Sequence, residues 1–343
     1  MHHYKIAAAL SLAVVGTIVA YMVLNPNASG FLRHNSTSRP SLSDKTRFEE
    51  FKKKYNKTYG GNEDQRRLEI FSANLKRINE INSVKRNFTV GVNKFTDLTR
   101  EEFASTYLGY KPKNQNRVRN VAPLKNSLPK EVDWRDQNAV TDIKDQGQCG
   151  SCWAFSVTGA LEGLQSITQK KLIPLSEQQL VDCSTSYGNE GCNGGDMDLA
   201  FKYVKDKGIQ SEDDYPYYAW DYDCAYNASK VVFNISGWAD VAQNSSEALA
   251  QAVVNGPVSV AIEADQEIFQ YYQWGILDTF ECGHYLDHGV LVVGFVNKTD
   301  WRYWIVKNSW GEDWGNAGYV YIGIEDKEGI CGINMSPSYP IAS

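Results

Sequence analysis

Histidine and cysteine are scarce in this chain, and both are unevenly placed. Only five of the 343 residues are histidine. Because His2, His3 and His34 lie near the N-terminus, His284 and His288 are the only imidazoles in the rest of the chain. No cysteine precedes position 149, and seven lie at or beyond it. An odd number of cysteines in an exported protein leaves one thiol unpaired.

Other absences narrow the possible functions. The chain has no internal repeat and no low-complexity tract. A structural metal site made by the cysteines would need a second cluster of Cys or His at suitable spacing, which Cys183 and Cys192 do not provide. We therefore expect no metal and no cofactor. A hydrophobic content of 42% and a charged content of 22% are those of a globular protein.

The charge is divided sharply between the two parts of the chain. Residues 1–127 carry 22 Lys and Arg against 10 Asp and Glu, whereas residues 128–343 carry 13 against 31. A basic leader of this kind binds either a nucleic acid or membrane, or the acidic part of its own chain. We favour the second interpretation, because the motifs below point to it independently. The acidic part shows no sign of nucleic-acid binding.

The N-terminus resembles a targeting segment. Lys5 precedes an apolar run from Ile6 to Leu24, which Asn25 and Pro26 end. We predict a signal peptide over residues 1–24, or an uncleaved signal anchor, because the run is nearly long enough to span a bilayer. Either alternative sends the chain into the oxidising secretory pathway, where disulfides persist. Several Asn-x-Ser/Thr sequons agree with that compartment: Asn56, Asn87, Asn227, Asn234 and Asn297.

The segment around Cys152 carries the strongest chemical signal. Gly147 and Gly150 precede it, and a mostly apolar helical pattern follows, so Cys152 is predicted at a helix N-terminus. The partial positive charge there lowers the pKa of a thiol. Cys149 and Cys152 are spaced as a redox dithiol, as metal ligands, or as one bridged cysteine and one nucleophile. A redox dithiol needs a βαβ context, which is absent here, and a metal site would need further ligands. We therefore favour the third alternative, in which Cys152 is a nucleophile and Cys149 is in a disulfide.

The base that a cysteine nucleophile needs is predicted to be His288. This residue directly precedes an apolar, β-branched run that is typical of a strand, whereas His284 lies in a Cys-Gly-His-Tyr loop. A cysteine hydrolase uses an imidazole to form the thiolate and to protonate the leaving amine. A second strand-like run ends in Lys307-Asn308-Ser309-Trp310-Gly311.

The basic leader contains two helical patterns and two short motifs. Over residues 44–82, apolar residues recur at helical spacing, and Gly60 and Gly61 divide them into two predicted helices. One side of the second helix presents six residues at spacings of three and four: Glu63, Arg67, Phe71, Asn74, Ile78 and Asn82. The second motif follows shortly afterwards, and its marked positions are Gly91, Asn93, Phe95 and Asp97.

Together these segments resemble the papain-like cysteine peptidase family, and in particular cathepsin L-like precursors with an ERFNIN-type propeptide. The resemblance covers about residues 44–343. It implies an α+β, papain-like fold of two subdomains, one helical and one β-barrel-like, preceded by a helical inhibitory prodomain. The implied division is 1–24 signal, 25–127 propeptide with a linker from residue 111, and 128–343 mature peptidase.

The resemblance also assigns roles to individual residues. Asn308 would orient His288, Trp310 would shield that pair from water, and the Gln146 side chain would complete the oxyanion hole with the Cys152 N–H. The implied disulfides are Cys149–Cys192, Cys183–Cys224 and Cys282–Cys331. The substrate-binding residues carried over are Gly194, Gly195, Met197, Ala261, Leu286, Gly289, Ser336 and Trp310.

Two departures from the family pattern affect the predicted specificity. Met197, Ala261 and Leu286 suggest a pocket for an apolar or aromatic side chain. However, Asp196 stands where cathepsin L-like enzymes often have an apolar residue, and Ser336 lies at the pocket floor, so a basic side chain is an alternative. The short loops on both sides of the predicted cleft favour an endopeptidase over a dipeptidase.

The expected function is that of a cysteine endopeptidase, made as a zymogen, that hydrolyses peptide bonds through an acyl-thioester on Cys152. Acid is expected to weaken the attraction between leader and enzyme and to trigger self-activation at pH about 4–5. Alternatives on the same fold are a transpeptidase or ligase and a non-catalytic binding protein. Expected partners are protein and peptide substrates, the chain's own propeptide and cystatin-type inhibitors. We expect the mature enzyme to be a monomer in the lysosome or digestive vacuole, or secreted.

Overall fold

The computed structural model describes residues 40–112 and 128–343 of the chain. The apolar run from Ile6 to Leu24 and the linker residues 113–127 lie outside the described residues, so the signal segment and the linker stay predictions. Among the residues that are described, no helix combines the length and the apolar character needed to cross a membrane. Residues Ser43–Ser343 form one compact unit.

The leader folds around two helices, as predicted. Helix α1 spans Leu42–Lys54 and helix α2 spans Asn62–Asn82. The short strand β1 (Phe88–Val90) and helix α3 (Arg100–Tyr107) follow. The leader has a small apolar core of its own between the first two helices, made by Phe48, Phe51, Leu68, Phe71 and Leu75.

The helical subdomain of residues 128–343 is built around one buried helix. This helix, α4 (Cys152–Gln169), is buried on nearly all sides because its sequence is apolar around its circumference. Helices α5 (Glu177–Cys183) and α6 (Met197–Lys207) pack beside it. The short strands β3 (Ile209–Gln210) and β4 (Val231–Phe233) pair with each other.

Nine strands within the described residues form a single mixed sheet. Its order is β1-β7-β10-β9-β8-β6-β11-β5, and β2 pairs with β8. The strands not yet given are β2 (Glu131–Asp133), β5 (Ile235–Asp240), β6 (Val258–Ile262), β7 (Tyr272–Leu277), β8 (His288–Asn297), β9 (Arg302–Lys307), β10 (Tyr319–Gly323) and β11 (Ser338–Ala342). Two short helices lie beside the sheet, α7 (Ser246–Val253) and α8 (Glu267–Gln270).

Helix α4 packs directly on the start of strand β8. The Ser156 hydroxyl donates to the Val290 carbonyl at 2.7 Å, and the Ser259 hydroxyl donates to the Ser156 carbonyl at 2.9 Å. These buried bonds join the helical subdomain to the sheet where α4 and β8 both begin. The predicted α+β arrangement is confirmed, and it brings the first residue of α4 close to the first residue of β8.

Candidate active site

The thiol of Cys152 lies at the N-terminus of helix α4 and is fully buried. All seven cysteines lie in the described part of the chain, and Cys152 is the one outside a disulfide. The structure contains the disulfides Cys149–Cys192, Cys183–Cys224 and Cys282–Cys331, the same pairs that the resemblance implied. The Gly289 N–H points at the Cys152 sulfur from 3.4 Å. The free thiol is therefore held between helix α4 and strand β8.

His288 and Asn308 meet beside this thiol because strands β8 and β9 are antiparallel neighbours. His288 begins β8, Asn308 follows β9, and His288 Nε2 lies 2.8 Å from Asn308 Oδ1. The Trp310 ring stacks on the imidazole at a centroid distance of 4.5 Å. His288 Nδ1 has no hydrogen-bond partner among the described residues, so it is available to the thiol. His284, by contrast, is exposed.

Burial under the leader holds this pair in its neutral form. Burial raises the pKa of the Cys152 thiol to about 11, and hydrogen bonds from the Gly289 and Gly109 backbones offset this only in part. Burial also lowers the pKa of His288 to about 4, although the bond to Asn308 opposes that shift. The sequence-based expectation of a lowered thiol pKa is wrong for the precursor, because the desolvation of the charged form exceeds the effect of the helix N-terminus.

The Gln146 side chain is held in a fixed orientation next to the nucleophile. Its Nε2 donates to the Cys149 carbonyl at 2.8 Å and to the Tyr107 carbonyl of the leader at 2.9 Å. The Ser309 hydroxyl donates to Gln146 Oε1 at 2.7 Å, which orients the amide. The role of Ser309 was not predicted, although this residue lies within the Asn-Ser-Trp-Gly motif.

Residues 108–111 of the leader follow helix α3 into the cleft, where the Gly109 backbone reaches the Cys152 thiol and Tyr110 forms an isolated parallel β-bridge with Gly195. The Gly195 N–H donates to the Gly109 carbonyl at 2.8 Å, and the Lys111 N–H donates to the Gly195 carbonyl at 2.9 Å. The Tyr110 N–H donates to the Asp287 carbonyl at 2.8 Å. A Cβ on Gly109 would overlap the Gly150 carbonyl, so only glycine fits there. No sequence signal marked this segment, since it has no apolar period.

The Tyr110 side chain fills the predicted specificity pocket. It belongs to one apolar cluster with Met197, Ala261 and Leu286. Its hydroxyl lies 2.9 Å from the Ser336 hydroxyl, and both side chains are buried. These are the pocket residues that the resemblance assigned.

Asp196 lies at the start of helix α6. Its carboxylate accepts a hydrogen bond from the Asp198 N–H at 2.9 Å and caps helix α6. Next to it, Gly194 adopts a φ of +119°, and Gly195 carries the backbone bonds to the leader. Gly289 packs against the backbone of Cys152 and Trp153, where a side chain would be crowded.

The six marked residues of helix α2 hold the leader together. Arg67 bonds Glu63 at 2.6 Å and Glu102 at 2.8 Å. Asn74 Nδ2 donates to two carbonyls in the following segment, and Asn82 Nδ2 donates to the Val90 carbonyl at 2.7 Å. Phe71 and Ile78 are buried. The polar residues of this face thus fix α2 against β1 and α3.

The second leader motif faces the enzyme. The Gly91 N–H donates to the Tyr271 carbonyl at 2.8 Å, and Asn93 Nδ2 donates to the Gln270 carbonyl at 2.7 Å. Phe95 is fully buried against Trp310, with ring centroids 5.3 Å apart. Asp97 is buried within the leader, where Lys57 pairs with it at 2.6 Å.

Within the described residues, the ion pairs that connect the leader to residues 128–343 all have the same polarity. In each pair the cation belongs to the leader and the carboxylate to the larger part. The pairs are Arg77–Glu267 (2.5 Å), Arg86–Glu281 (3.0 Å), Lys94–Asp145 (2.5 Å), Arg100–Asp265 (2.7 Å) and Lys111–Glu190 (2.6 Å). The charge division seen in the sequence is therefore realised as contacts within one chain.

No group of three or more His, Cys, Asp or Glu side chains in the described ranges is arranged to hold a metal ion. The side chains around Cys152 belong instead to acyl-transfer chemistry: a thiol, an imidazole, an amide that orients it, and amide donors for an oxyanion.

The chain matches two protein-family domains, one in the leader and one in residues 128–343. Residues 128–341 match the papain family cysteine protease domain, and residues 48–103 match the cathepsin propeptide inhibitor domain. The probable cysteine protease RD21B of Arabidopsis thaliana is 45% identical over 97% of this chain and 74% of its own length. Vignain of Ricinus communis is 46% identical over 81% of both chains.

Solved precursor structures have the same fold. A digestive procathepsin L 3 from the larval midgut of Tenebrio molitor superposes with a TM-score of 0.81 at 41% identity, covering 88% of this chain and 99% of the other. A recombinant stem bromelain precursor gives 0.77 at 35% identity, covering 88% and 99%. The chain belongs to the papain family of cysteine proteases and carries its own cathepsin-type inhibitory propeptide.

Proposed function

We propose that this protein is a zymogen of a cysteine endopeptidase in which Cys152 is the nucleophile, His288 the base, Asn308 its orienter and Gln146 an oxyanion donor. The observation that carries the proposal is the peptide carbonyl of Tyr107, which accepts a bond from Gln146 Nε2 at 2.9 Å. A peptide backbone is thus bound over the free thiol in the precursor. The mature enzyme would comprise residues 128–343.

The mechanism follows from the positions of these groups. After the leader is released and water enters, His288 takes the Cys152 proton, and the thiolate sulfur attacks the carbonyl carbon of a peptide bond. Gln146 Nε2 and the Cys152 N–H stabilise the oxyanion. The C–N bond breaks as His288 protonates the leaving amine. His288 then deprotonates a water that attacks the thioester, which releases the carboxylic acid and restores the thiol.

The path of the leader supports cleavage within chains. Helix α3 leads into the cleft, residues 107–111 cross it, and Pro112 lies beyond, so the cleft accommodates a chain that continues at both ends. The leader is held in the cleft by backbone bonds to Gly195 and Asp287. We further propose that the mature enzyme is a monomer that cystatin-type inhibitors recognise, and that it acts in a lysosome or digestive vacuole or after secretion.

The test of this function is the product spectrum of the acid-matured enzyme on a mixed peptide library. We expect internal cleavage with hydrolysed carboxyl ends, measured by mass spectrometry, and little transfer to an added amine. Predominant transfer to the amine would instead indicate a ligase. Release of dipeptides from one end would contradict the open cleft, and no cleavage by a correctly processed enzyme would indicate a binding protein.

The pocket contents point to the preferred substrate side chain. In the mature enzyme, the pocket would accept a substrate side chain like that of Tyr110. Its aromatic ring would pack against Met197 and Ala261, and its hydroxyl would lie next to Ser336. A site that bonds a substrate hydroxyl discriminates against the analogue without it. The Asp196 carboxylate accepts a hydrogen bond at the start of helix α6, so we propose the aromatic preference ahead of the basic alternative.

The substitution Ser336→Ala is expected to reduce the preference for tyrosine over phenylalanine in this pocket. One neutral hydrogen bond contributes about 0.5–1.5 kcal/mol, so the ratio of kcat/KM for the two substrates should fall roughly two- to tenfold. The measurement compares two fluorogenic peptides that differ only in this residue. A leucine peptide serves as the control and should be cleaved nearly as before. An unchanged Tyr/Phe ratio would contradict the assigned role of Ser336.

A further inference from the structure

On one of its two sides, strand β7 (Tyr272–Leu277) pairs with the leader strand β1 alone. Strand β1 runs antiparallel to it, with Phe88 opposite Gly275 and Thr89 opposite Trp274. The Ile276 N–H donates to the Asn87 carbonyl at 2.8 Å. On its other side β7 pairs with β10. Removal of the leader therefore turns β7 into an edge strand whose backbone groups are open to another chain.

The leader also covers an aromatic surface next to this edge. The rings of Phe95 and Phe103 pack edge-on against Trp310, at centroid distances of 5.3 and 5.2 Å. Phe269 and Trp314 complete the aromatic cluster on the enzyme side. Once the leader is gone, this apolar surface loses its cover. Uncovered apolar patches of this kind mark interaction sites.

The rim of the same face is acidic. Glu267 pairs with Arg77, Glu281 pairs with Arg86, and Asp278 accepts a bond from the Asn87 amide at 2.6 Å. All three acceptors lose their partners with the leader. The vacated face thus combines open strand groups, aromatic surface and carboxylates, and these features are complementary to an extended strand with basic residues beside it.

We propose that this vacated face, made by strand β7, the aromatic cluster around Trp310 and the acidic rim, is a second docking surface for protein substrates. It would bind an extended, basic-flanked segment of the substrate by strand addition, while the cleft cuts elsewhere in the same molecule. Main-chain bonds to an edge strand supply affinity with little sequence dependence, and the rim supplies the preference for basic segments. The proposal rests on the peptidase activity argued above.

The leader's own sequence shows what such a segment contains. Phe88 and Val90 alternate with Thr89, so that two apolar side chains are buried, and Arg86 reaches the rim. A peptide of residues 84–91 includes all of these features. It does not include residues 107–111, which cross the cleft. A peptide of this sequence, Val-Lys-Arg-Asn-Phe-Thr-Val-Gly, therefore probes the docking surface without a route to the thiol.

The experiment uses the enzyme matured from the full chain by its own processing. Binding of fluorescently labelled 84–91 peptide is measured by anisotropy after alkylation of Cys152, so that the readout does not depend on activity. We expect saturable binding that is absent for a scrambled peptide and weakened about threefold or more by Glu281→Gln with Asp278→Asn, because these two carboxylates are the partners of Arg86 and Asn87. Glu131→Gln serves as the matched control, because Glu131 pairs with Lys298 and not with the leader.

A kinetic comparison then tests the consequence for substrates. Two quenched peptides share one cleavable sequence, and one carries residues 84–91 through a flexible linker while the other carries the scrambled form. The first should be cleaved with a kcat/KM several-fold higher, and free 84–91 peptide should remove that advantage without inhibiting a dipeptide substrate. Equal cleavage, or equal binding of the scrambled peptide, would overturn the proposal. Inhibition of dipeptide hydrolysis by the free peptide would mean that it binds in the cleft, and this would also overturn the proposal, whereas no hydrolysis of either substrate by the matured enzyme would count against the catalytic assignment.

Discussion

Replacement of Cys152 by alanine is expected to abolish both peptide hydrolysis and self-removal of the leader. The thiol is the only group that can form the acyl-enzyme, and all six other cysteines are in disulfides. Loss of a catalytic nucleophile lowers kcat by roughly 10⁴-fold or more. The measurement is cleavage of a fluorogenic peptide, together with the mass of the precursor after incubation at pH about 4.5, near the carboxyl pKa range.

The two histidines outside the leader supply a matched control for this prediction. His288→Ala should lose activity nearly as completely as Cys152→Ala, because its imidazole is the proposed base and adjoins Gly289, whose N–H points at the thiol. His284→Ala should stay active, since its side chain is exposed in a loop. Activity that survives in the Cys152 variant but fails in the His284 variant would place the chemistry elsewhere in the molecule. Leader removal by Cys152→Ala alone would show that processing does not use this thiol.

The reactivity of the thiol should also differ between precursor and mature enzyme. In the precursor, burial raises the pKa of Cys152 to about 11 and lowers that of His288 to about 4, so both groups are neutral at pH 7. Departure of residues 107–111 admits water and restores the advantage of a thiolate at a helix N-terminus. We therefore expect a thiol-alkylating reagent to modify Cys152 more slowly in the precursor than in the mature enzyme at pH 7.

The site was predictable where local patterns determine the structure. A cysteine before an apolar helical period lies at a helix start, and a histidine before a β-branched run lies at a strand start, whatever the rest of the fold. The Glu63–Arg67 pair follows from helical spacing in the same way. Local patterns do not show which elements lie close together in space. The contact between His288 and Asn308 was therefore predicted only from the resemblance to a family.

The features that were missed depend on contacts between distant parts of the chain. Ser309 orients Gln146 across 163 positions of sequence, and Tyr110 reaches Ser336 across 226. Asp196 was interpreted from its place in a motif, although an aspartate before a helix is as readily a cap for that helix. The charge division of the chain, in contrast, correctly predicted that the leader contacts the acidic part. Net charge sums over many residues, so this prediction did not depend on which residues pair with which.

The precursor is expected to remove its leader much faster at pH about 4.5 than at pH 7, because carboxylates protonate over this range. The ion pairs between leader and enzyme all need an ionised carboxylate on the enzyme side. Within the leader, partial burial raises the pKa of Glu102, but bonds from the Thr99 N–H, Arg66 and Arg67 outweigh burial, and the net pKa is lowered. These bonds therefore stabilise the leader fully above the ordinary glutamate pKa of about 4.3. This contribution is still present at pH about 4.5 and is lost only as the pH falls through the lower folded value, so release at pH about 4.5 must come from the ion pairs to the enzyme.

Changes confined to the leader test this without altering the mature enzyme. In the triple variant Arg77→Gln, Arg86→Gln and Arg100→Gln, three of the ion pairs to the enzyme are absent at every pH. Each exposed pair contributes about 0.2–1 kcal/mol, so leader binding at pH 7 should weaken roughly threefold or more, and processing should become less dependent on pH. The measurement is the rate of leader loss, followed by mass, between pH 7 and 4.

The control is a second triple variant that removes the same charge from leader positions without an ion pair in the described structure: Lys45→Gln, Lys53→Gln and Lys85→Gln. If attraction between net charges alone held the leader, the two variants would respond equally. If the specific pairs hold it, only the arginine variant should process at neutral pH. A wild-type precursor that matures equally fast at pH 7 and 4.5 would contradict acid release altogether, and the leader would then have to be removed by another protease.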